Sequence, residues 1–454
     1  MKEKVKVFIL TLISALVLVS CQTDSEKADK LRLENKFDEA AELYQKAADK
    51  GDSYAMWRLA YAYVNGDGVD WDKTKALELL KKAAKGGCEE AKYDLAIFNL
   101  GKTNEEDIDK GKAMLDNIVK TTNNSTVLSQ YAMQLFFEED KEKAMKILNK
   151  IEDKKNPYYL ESMGLVYING TDKIEIDVEK AIEYFTKAFE NGNKSCANRL
   201  QNIYAYGNGA VKKDKTKRID WLNRGIESNV ADCMCDMALL CVSEDSTYQD
   251  IHNPKRAVEL LKKATRHGSG EGYFILGNWH WNGEFLPKDD KKAFENWEKG
   301  AELSNIGATD NLAYAYRYGV GCEKDEKKAI ELYQESAENG SGFSARHLYY
   351  CYLSGGCGVT KDNELAKKYL LRAAELNDEY GCYELGRHYN VGSELFGKDF
   401  GQAFVYVKKA ADMGVVDACS MVAYFYENGI GCDKNPQKAK EYKDKTAVNS
   451  EKEE

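Results

Sequence analysis

An aspartate or asparagine stands four residues ahead of a small residue again and again along this chain, at a nearly constant pitch. The pairs are Asp72/Ala76, Asp109/Ala113, Asp140/Ala144, Asp177/Ala181, Asp214/Arg218, Asn253/Ala257, Asp289/Ala293, Asp325/Ala329, Asp362/Ala366, Asp399/Ala403 and Asn435/Ala439, with Ala40 opening the series alone. Successive steps are 36 or 37 residues, apart from one of 31 and one of 39. Asp and Asn cap helix N-termini, because the side-chain oxygen accepts from a first-turn amide that has no intrahelical partner. A helix therefore restarts at one phase in every unit, and a period of this length means stacked supersecondary repeats.

A second helix precedes each cap. Gly66, Gly170, Gly207, Gly283, Gly319, Gly355, Gly392 and Gly429 lie six or seven residues before a capping residue, where glycine suits the left-handed end of a helix. Ahead of them run patterns such as Leu59-Ala60-Tyr61-Ala62-Tyr63, echoed at 312–316, 348–352 and 385–389. Leu and Tyr four apart share a helix face, and the small residue beside the Leu permits close contact. Pro254 and Pro436 directly follow Asn253 and Asn435, where a missing N–H costs nothing. The unit is helix A, a glycine-bearing loop, helix B and a turn. Such a pair cannot bury its apolar stripe alone and must stack on neighbours.

The pattern resembles the Sel-1-like repeat, a relative of the tetratricopeptide repeat, through Leu312, Tyr316, Gly319, Gly321, Asp325, Lys328, Ala329, Ala337 and Gly340, and again through Asp72, Lys75, Ala76, Lys82, Ala83, Ala84 and Gly87. The expected fold is all-α, a superhelical solenoid of about eleven helix pairs over residues 36–446, followed by a polar tail at 447–454. The units at 31 and 39 residues depart from the pattern, as does the one near Gly101, whose loop is short. The resemblance implies an adaptor that holds protein or peptide partners in a concave wall lined by the A helices.

If Leu59 and Tyr63 mark the core face, the positions two before and two after the Leu lie towards that wall. They hold Trp57 and Tyr61, Phe274 and Asn278, Asp310 and Tyr314, Arg346 and Tyr350, Tyr383 and Arg387, and Ser420 and Tyr424. Aromatics interleaved with arginine are the usual material of binding hot spots, so these residues are the candidate groove. The competing reading is that each ring packs between neighbouring A helices.

The first residues bear on compartment. Lys2, Lys4 and Lys6 precede an apolar run from Val7 to Val19, too short to span a bilayer and typical of a secretory leader over residues 1–20. The run ends Leu18-Val19-Ser20-Cys21, which resembles the lipobox of bacterial lipoproteins. That resemblance implies cleavage before Cys21, acylation of its thiol and a membrane anchor; residues 21–35 then read as a lipidated tether, with Gln22 to Lys30 a tether or a fraying first helix. Gln22 lacks the aspartate that retains such proteins at the inner membrane of some bacteria, which favours the outer one. The net charge is −10, and losing a lysine-rich leader makes the exported part more acidic still, a poor match for nucleic acid.

No enzyme, metal or cofactor is expected. His252, His267, His280, His347 and His388 include no pair at ligand spacing. His280 stands where other units place the core tyrosine, and His388 reads as a groove residue rather than a base. Cys196, Cys233, Cys382 and Cys419 fall at the entry of helix A, Cys351 aligns with Ala62, and Cys322 and Cys432 align with loop Val69. They stand where Ala or Val would serve and read as buried thiols. The leading expectation is therefore a lipid-anchored envelope scaffold; the alternative is a glycan-binding or polysaccharide-export accessory whose aromatic stripe stacks on sugars.

Overall fold

Each capping residue joins two helices at once. In the computed structural model, which describes residues 23–100, 105–138, 140–208 and 210–450, Asp72 Oδ1 accepts from the Lys75 amide at 2.9 Å. The same bond recurs at Asp140, Asp177, Asp214, Asn253, Asp289, Asp325, Asp362, Asp399 and Asn435, at 2.9–3.2 Å. Each residue also donates its own N–H back to the end of the preceding helix: Asp72 to the Tyr63 carbonyl at 3.1 Å, Asp325 to Tyr316 at 2.8 Å, Asp399 to Tyr389 at 2.9 Å. One residue thus starts helix B with its side chain and terminates helix A with its backbone N–H. The lysine three residues on lays its ammonium over the same tyrosine, as Lys180 over Tyr167 at 4.3 Å and Lys328 over Tyr316 at 4.3 Å.

The described residues form twenty-four α-helices, hence twelve A/B pairs, and fall into two compact units. The N-terminal unit holds α1 (Asp24–Leu33), α2 (Phe37–Asp49), α3 (Ser53–Asn65), α4 (Lys73–Lys85), α5 (Glu89–Leu100), α6 (Glu105–Thr121), α7 (Ser125–Phe137), α8 (Lys141–Lys150), α9 (Pro157–Asn169), α10 (Val178–Glu190), α11 (Cys196–Tyr206), α12 (Lys215–Glu227), α13 (Ala231–Leu240) and α14 (Pro254–Arg266). The C-terminal unit holds α15 (Gly270–Asn282), α16 (Asp290–Glu302), α17 (Ile306–Tyr318), α18 (Glu326–Glu338), α19 (Gly342–Ser354), α20 (Asn363–Glu375), α21 (Glu379–Val391), α22 (Phe400–Asp412), α23 (Val416–Asn428) and α24 (Pro436–Ser450). Several neighbouring A helices (odd numbers) touch as well as packing on their own B helix, namely α5 on α7, α7 on α9 and α11 on α13 in the N-terminal unit and α15 on α17 and α19 on α21 in the C-terminal one, whereas no two B helices make comparable contact. The A helices therefore make a wall. This is the all-α repeat fold that the spacing predicts.

Four expectations need correction or placement. The stretch read as a tether is helical from Asp24, because Thr23 and Glu26 form a reciprocal capping box and Ala28 is fully buried against α2. It is the missing A helix of the first pair, so the pairs number twelve rather than eleven. Asp109 does not cap: α6 begins at Glu105, and Asp109 lies in it as an exposed partner of Lys112. Gly111, not Ala113, makes the close contact there, since a Cβ on it would meet the Ala96 carbonyl at 2.8 Å. At the other end α24 runs on to Ser450, shortening the expected tail. The leader and Cys21 lie outside the described residues, and no helix among the described residues is long and apolar enough to cross a membrane.

The N-terminal unit closes on itself. His267 Nδ1 lies 2.8 Å from the Asn65 carbonyl, across 202 residues of sequence, and Arg32 Nη1 donates to the Gly192 carbonyl at 3.2 Å. Gly66 permits this approach: a Cβ there would sit 2.3 Å from the Arg266 carbonyl oxygen, and its φ of +65° already favours glycine. Asp67 enters the seam 3.9 Å from His267.

Burial pushes the Asp67 carboxyl up to about 7, against weaker opposing effects of Asn229, Asn65, Arg32 and Lys263. Burial likewise lowers the His267 imidazole, aided by Lys263 and Arg266 and opposed by the Asn65 carbonyl. The folded unit holds the Asp67 proton more tightly than the unfolded chain does. That contribution is complete below the ordinary carboxylate range and is lost as pH rises through about 7. His267 works in the opposite sense, losing stability as pH falls below its ordinary value of 6.5. Asp67→Asn cannot ionise, so it should gain stability over wild type as pH rises from about 4 to about 7, with a constant gap above. Hydrogen exchange of the amides at 65–67 and 266–268 measures this; a gap independent of pH would contradict it.

Candidate partner-binding wall

The A helices of the C-terminal unit are poor in charge. Helix α17 carries only Asp310 and Arg317, and α19 only Arg346 beside a histidine, whereas the single B helix α18 carries Glu326, Lys327, Lys328, Glu331, Glu335 and Glu338. Solvated charge thus sits on the B helices, and aromatic and amide groups on the wall.

Several candidate residues are stitches between neighbouring A helices. The Phe274 ring lies where a Cβ on Gly307 would come within 2.9 Å of it. Asn278 Oδ1 accepts from Trp297 Nε1 at 3.0 Å and from Asn311 Nδ2 at 2.7 Å. Asp310 accepts from Ser336, Ser341 and Ser344, which hold down a carboxyl that burial pushes up. Arg346 Nε meets Asp378 Oδ1 at 2.7 Å with side chains only 14% and 5% exposed, and its guanidinium lies over the Phe343 and Tyr380 rings. Asp378 also caps α21 through the Gly381 amide.

The candidates of the N-terminal unit are enclosed. Trp57 is 2% exposed and donates Nε1 to Asp94 Oδ2 at 2.7 Å, so its placement in an open groove does not hold. Half-buried Tyr61 bonds the same carboxylate, and burial pushes Asp94 up to about 6. Between them Arg58 donates to Tyr54 Oη at 2.9 Å and faces Asp29, which accepts from Tyr44 and Tyr54. These groups satisfy one another, leaving an interior made of the chain's own rings.

What remains accessible is in the C-terminal unit. Tyr424 is 56% exposed, and the Arg387 side chain is 54% exposed and paired with Glu384 one turn away. Tyr350 is half-buried against Tyr349, and Tyr383 lies half-buried under Arg387. Tyr314 packs on Trp281 at 5.7 Å and on Tyr318 at 4.5 Å, making an aromatic patch across α15 and α17. Sequence reasoning overlooked Trp281 and Tyr318, although they stand three and four residues past Asn278 and Tyr314 and so continue the same face.

Three histidines of the C-terminal unit are held by neighbouring groups. His388 has Nε2 2.7 Å from Tyr349 Oη and Nδ1 2.8 Å from Ser393 Oγ, engaging both ring nitrogens. His347 is clamped between Tyr333 and Phe343, with burial bringing it down to about 3. His280 Nδ1 sits 3.1 Å from the Pro287 carbonyl.

Known proteins share this architecture. The family model for the Sel1 repeat matches residues 33–52, 53–88, 159–193, 197–230, 231–269, 270–305, 308–341, 345–378, 379–415 and 416–443. The stretch it passes over contains α6, where the capping register breaks. The chitin synthase regulator SKT5 of Saccharomyces cerevisiae is 36% identical over 110 residues, 24% of this chain and 16% of that protein. An exopolysaccharide production negative regulator of Rhizobium leguminosarum bv. viciae is 38% identical over 61 residues, 13% of this chain and 23% of its own length. The chain thus spans less than a quarter of either relative. Among solved structures, the Escherichia coli protective antigen c5321 covers 91% of this chain and 90% of its own, at 23% identity and a TM-score of 0.44. A Sel1 repeat protein from Oxalobacter formigenes covers 70% and 92% respectively, at 23% identity and a TM-score of 0.45.

The two kinds of candidate separate on mutation. Arg346→Ala leaves Asp378 charged, buried and unpaired, and should cost about 3–5 kcal/mol, whereas Tyr424→Ala should stay within about 0.5 kcal/mol of wild type. Urea unfolding of both variants checks this, and equal effects would refute the division into stitches and free surface.

Proposed function

The chain belongs to the Sel1 repeat family, and from that premise we propose that it is a lipid-anchored scaffold of the bacterial envelope whose C-terminal A-helix wall holds protein or peptide partners. The observation that carries the reading is the set of exposed Tyr318, Arg387 and Tyr424 with half-buried Tyr314, on A helices poorer in charge than the B helices. Exposed tyrosines beside one arginine supply large contact area at low entropic cost. Phe274, Asn278 and Arg346 support the wall from within. Capture from solubilised envelope, with wild type and an Arg387→Glu, Tyr424→Ala double variant as baits, tests it. We expect at least one partner lost by the double variant at unchanged helix content; identical recovery by both baits would count against the wall.

The Trp281–Tyr314–Tyr318 patch favours a second reading, in which flat rings with Asn282 alongside stack on glycan. Binding to peptidoglycan and capsular fragments that Tyr314→Ala abolishes would replace a protein partner with a sugar.

The anchor is proposed from Leu18-Val19-Ser20-Cys21, and the outer membrane from Gln22, which stands where an aspartate retains such proteins at the inner membrane of some bacteria. Cells fed labelled palmitate should label the wild type and not Cys21→Ser, and label retained by the variant would remove the anchor from the proposal.

A further inference from the structure

The seam that closes the N-terminal unit gathers cations and leaves them without counter-charge. Arg32, at the end of α1, reaches the turn after α10 and donates Nη1 to the Gly192 carbonyl at 3.2 Å, while its Nε is buried without a partner. Gly192 admits the approach, because a Cβ there would lie 3.1 Å from Arg32 Nη2. Two residues on, Lys194 places its ammonium 4.5 Å from the centre of the Phe189 ring. Arg224, near the end of α12, sets its guanidinium 4.8 Å from the same ring and 3.9 Å from that of Trp221, which meets Phe189 edge to face at 5.4 Å. Three half-buried cations from separate stretches of chain thus converge on one aromatic corner. Among the described residues none of the three has an ion-pair partner, and the side chains of Lys194 and Arg224 make no hydrogen bond. Glu190, the carboxylate that acts on Lys194, is exposed and stands beyond ion-pair distance; burial and the two guanidiniums prevail and hold the Lys194 ammonium below its ordinary value.

We propose that Arg32, Lys194 and Arg224 bind a phosphate monoester. In a chain of net charge −10 such a concentration of unpaired cations is no by-product of composition. Closing the seam does not require it, since the bonds of Arg32 and His267 to main-chain carbonyls do that. Ring faces offset part of the cost of crowding the cations, and an anion offsets the rest. A carboxylate cancels one charge of the three. A phosphate monoester cancels up to two and presents three acceptor oxygens, to which Arg32 still offers Nη2, Arg224 its whole fork and Lys194 its ammonium. The Phe189 and Trp221 rings fix where Lys194 and Arg224 stand, and a site ordered in advance loses less entropy on binding. Occupancy would also tie α1 to the turn after α10 and to α12, so the ligand stabilises the closed form of the unit. The site lies wholly in the N-terminal unit and does not rest on the C-terminal wall. A soluble phosphorylated molecule and a phosphatidic acid headgroup offer the same chemistry, and the experiment separates them.

Inorganic phosphate titrated into the full chain, with ionic strength held constant by chloride, should give a saturable calorimetric signal and raise the melting temperature. Lys194→Gln and Arg224→Gln should each weaken that binding about tenfold. Lys327→Gln, whose ammonium is exposed on α18, should leave it unchanged. Without phosphate, Lys194→Gln should melt no lower than wild type, because it removes a repelling charge and no hydrogen bond; a lower melting temperature would mark Lys194 as a structural cation and count against the site. Sedimentation with phosphatidylcholine vesicles, with and without phosphatidic acid, identifies the source. Extra protein carried down by the acidic vesicles, and lost in Arg224→Gln, assigns the phosphate to a headgroup, whereas phosphate binding with no extra sedimentation assigns it to a soluble molecule. A wild-type chain that gives no phosphate signal above chloride, or variants that bind phosphate as tightly as wild type, would overturn the proposal.

Discussion

The structure depends on a bond that each capping residue makes twice. Its carboxylate or amide oxygen receives a first-turn amide of helix B, and its own N–H closes the last turn of helix A. Both helices leave unpaired groups at that junction, one set donors and the other acceptors, and a single residue with a short polar side chain serves both. The angle between the two helices is therefore set locally, before any partner repeat arrives. Stacking then has only to match one pair to the next, which it does through alanines and glycines that let backbones approach.

Where that junction is altered, the chain compensates in ways that need no change of fold. Helix α6 begins a turn early and brings Gly111 to the contact that Ala113 would otherwise make. The seventh pair has no loop glycine; a short 3-10 turn over Ser246–Ile251 fills the connection, and Arg218, in place of the usual alanine, reaches Gln201 and Tyr248. Each repair keeps the A helices in contact, because the wall they form is what buries the apolar face of every pair.

The wall is used differently in the two units. In the N-terminal unit it is turned inward upon Arg58, Asp29, Tyr44 and Tyr54, whose hydrogen bonds complete one another. In the C-terminal unit the inter-helix polar contacts are discrete, such as Asp310 with three serines and Arg346 with Asp378, and they leave tyrosines free alongside. A buried pair of that kind adds little net stability but punishes the loss of one partner, so it fixes register more than it strengthens the fold.

Helix identity, pair order and the left-handed glycines were legible from the residues alone, because capping and backbone conformation are decided within about one turn of chain. Tertiary structure alone decided which wall residues are available. Trp57 and Tyr424 occupy equivalent faces of their helices, yet one is sealed against Asp94 and the other stands in solvent. Burial there is set by a neighbour 37 residues away, and the closure of the N-terminal unit by one 202 residues away. No periodicity along the chain encodes such distances, since they arise only when many small rotations between pairs add up.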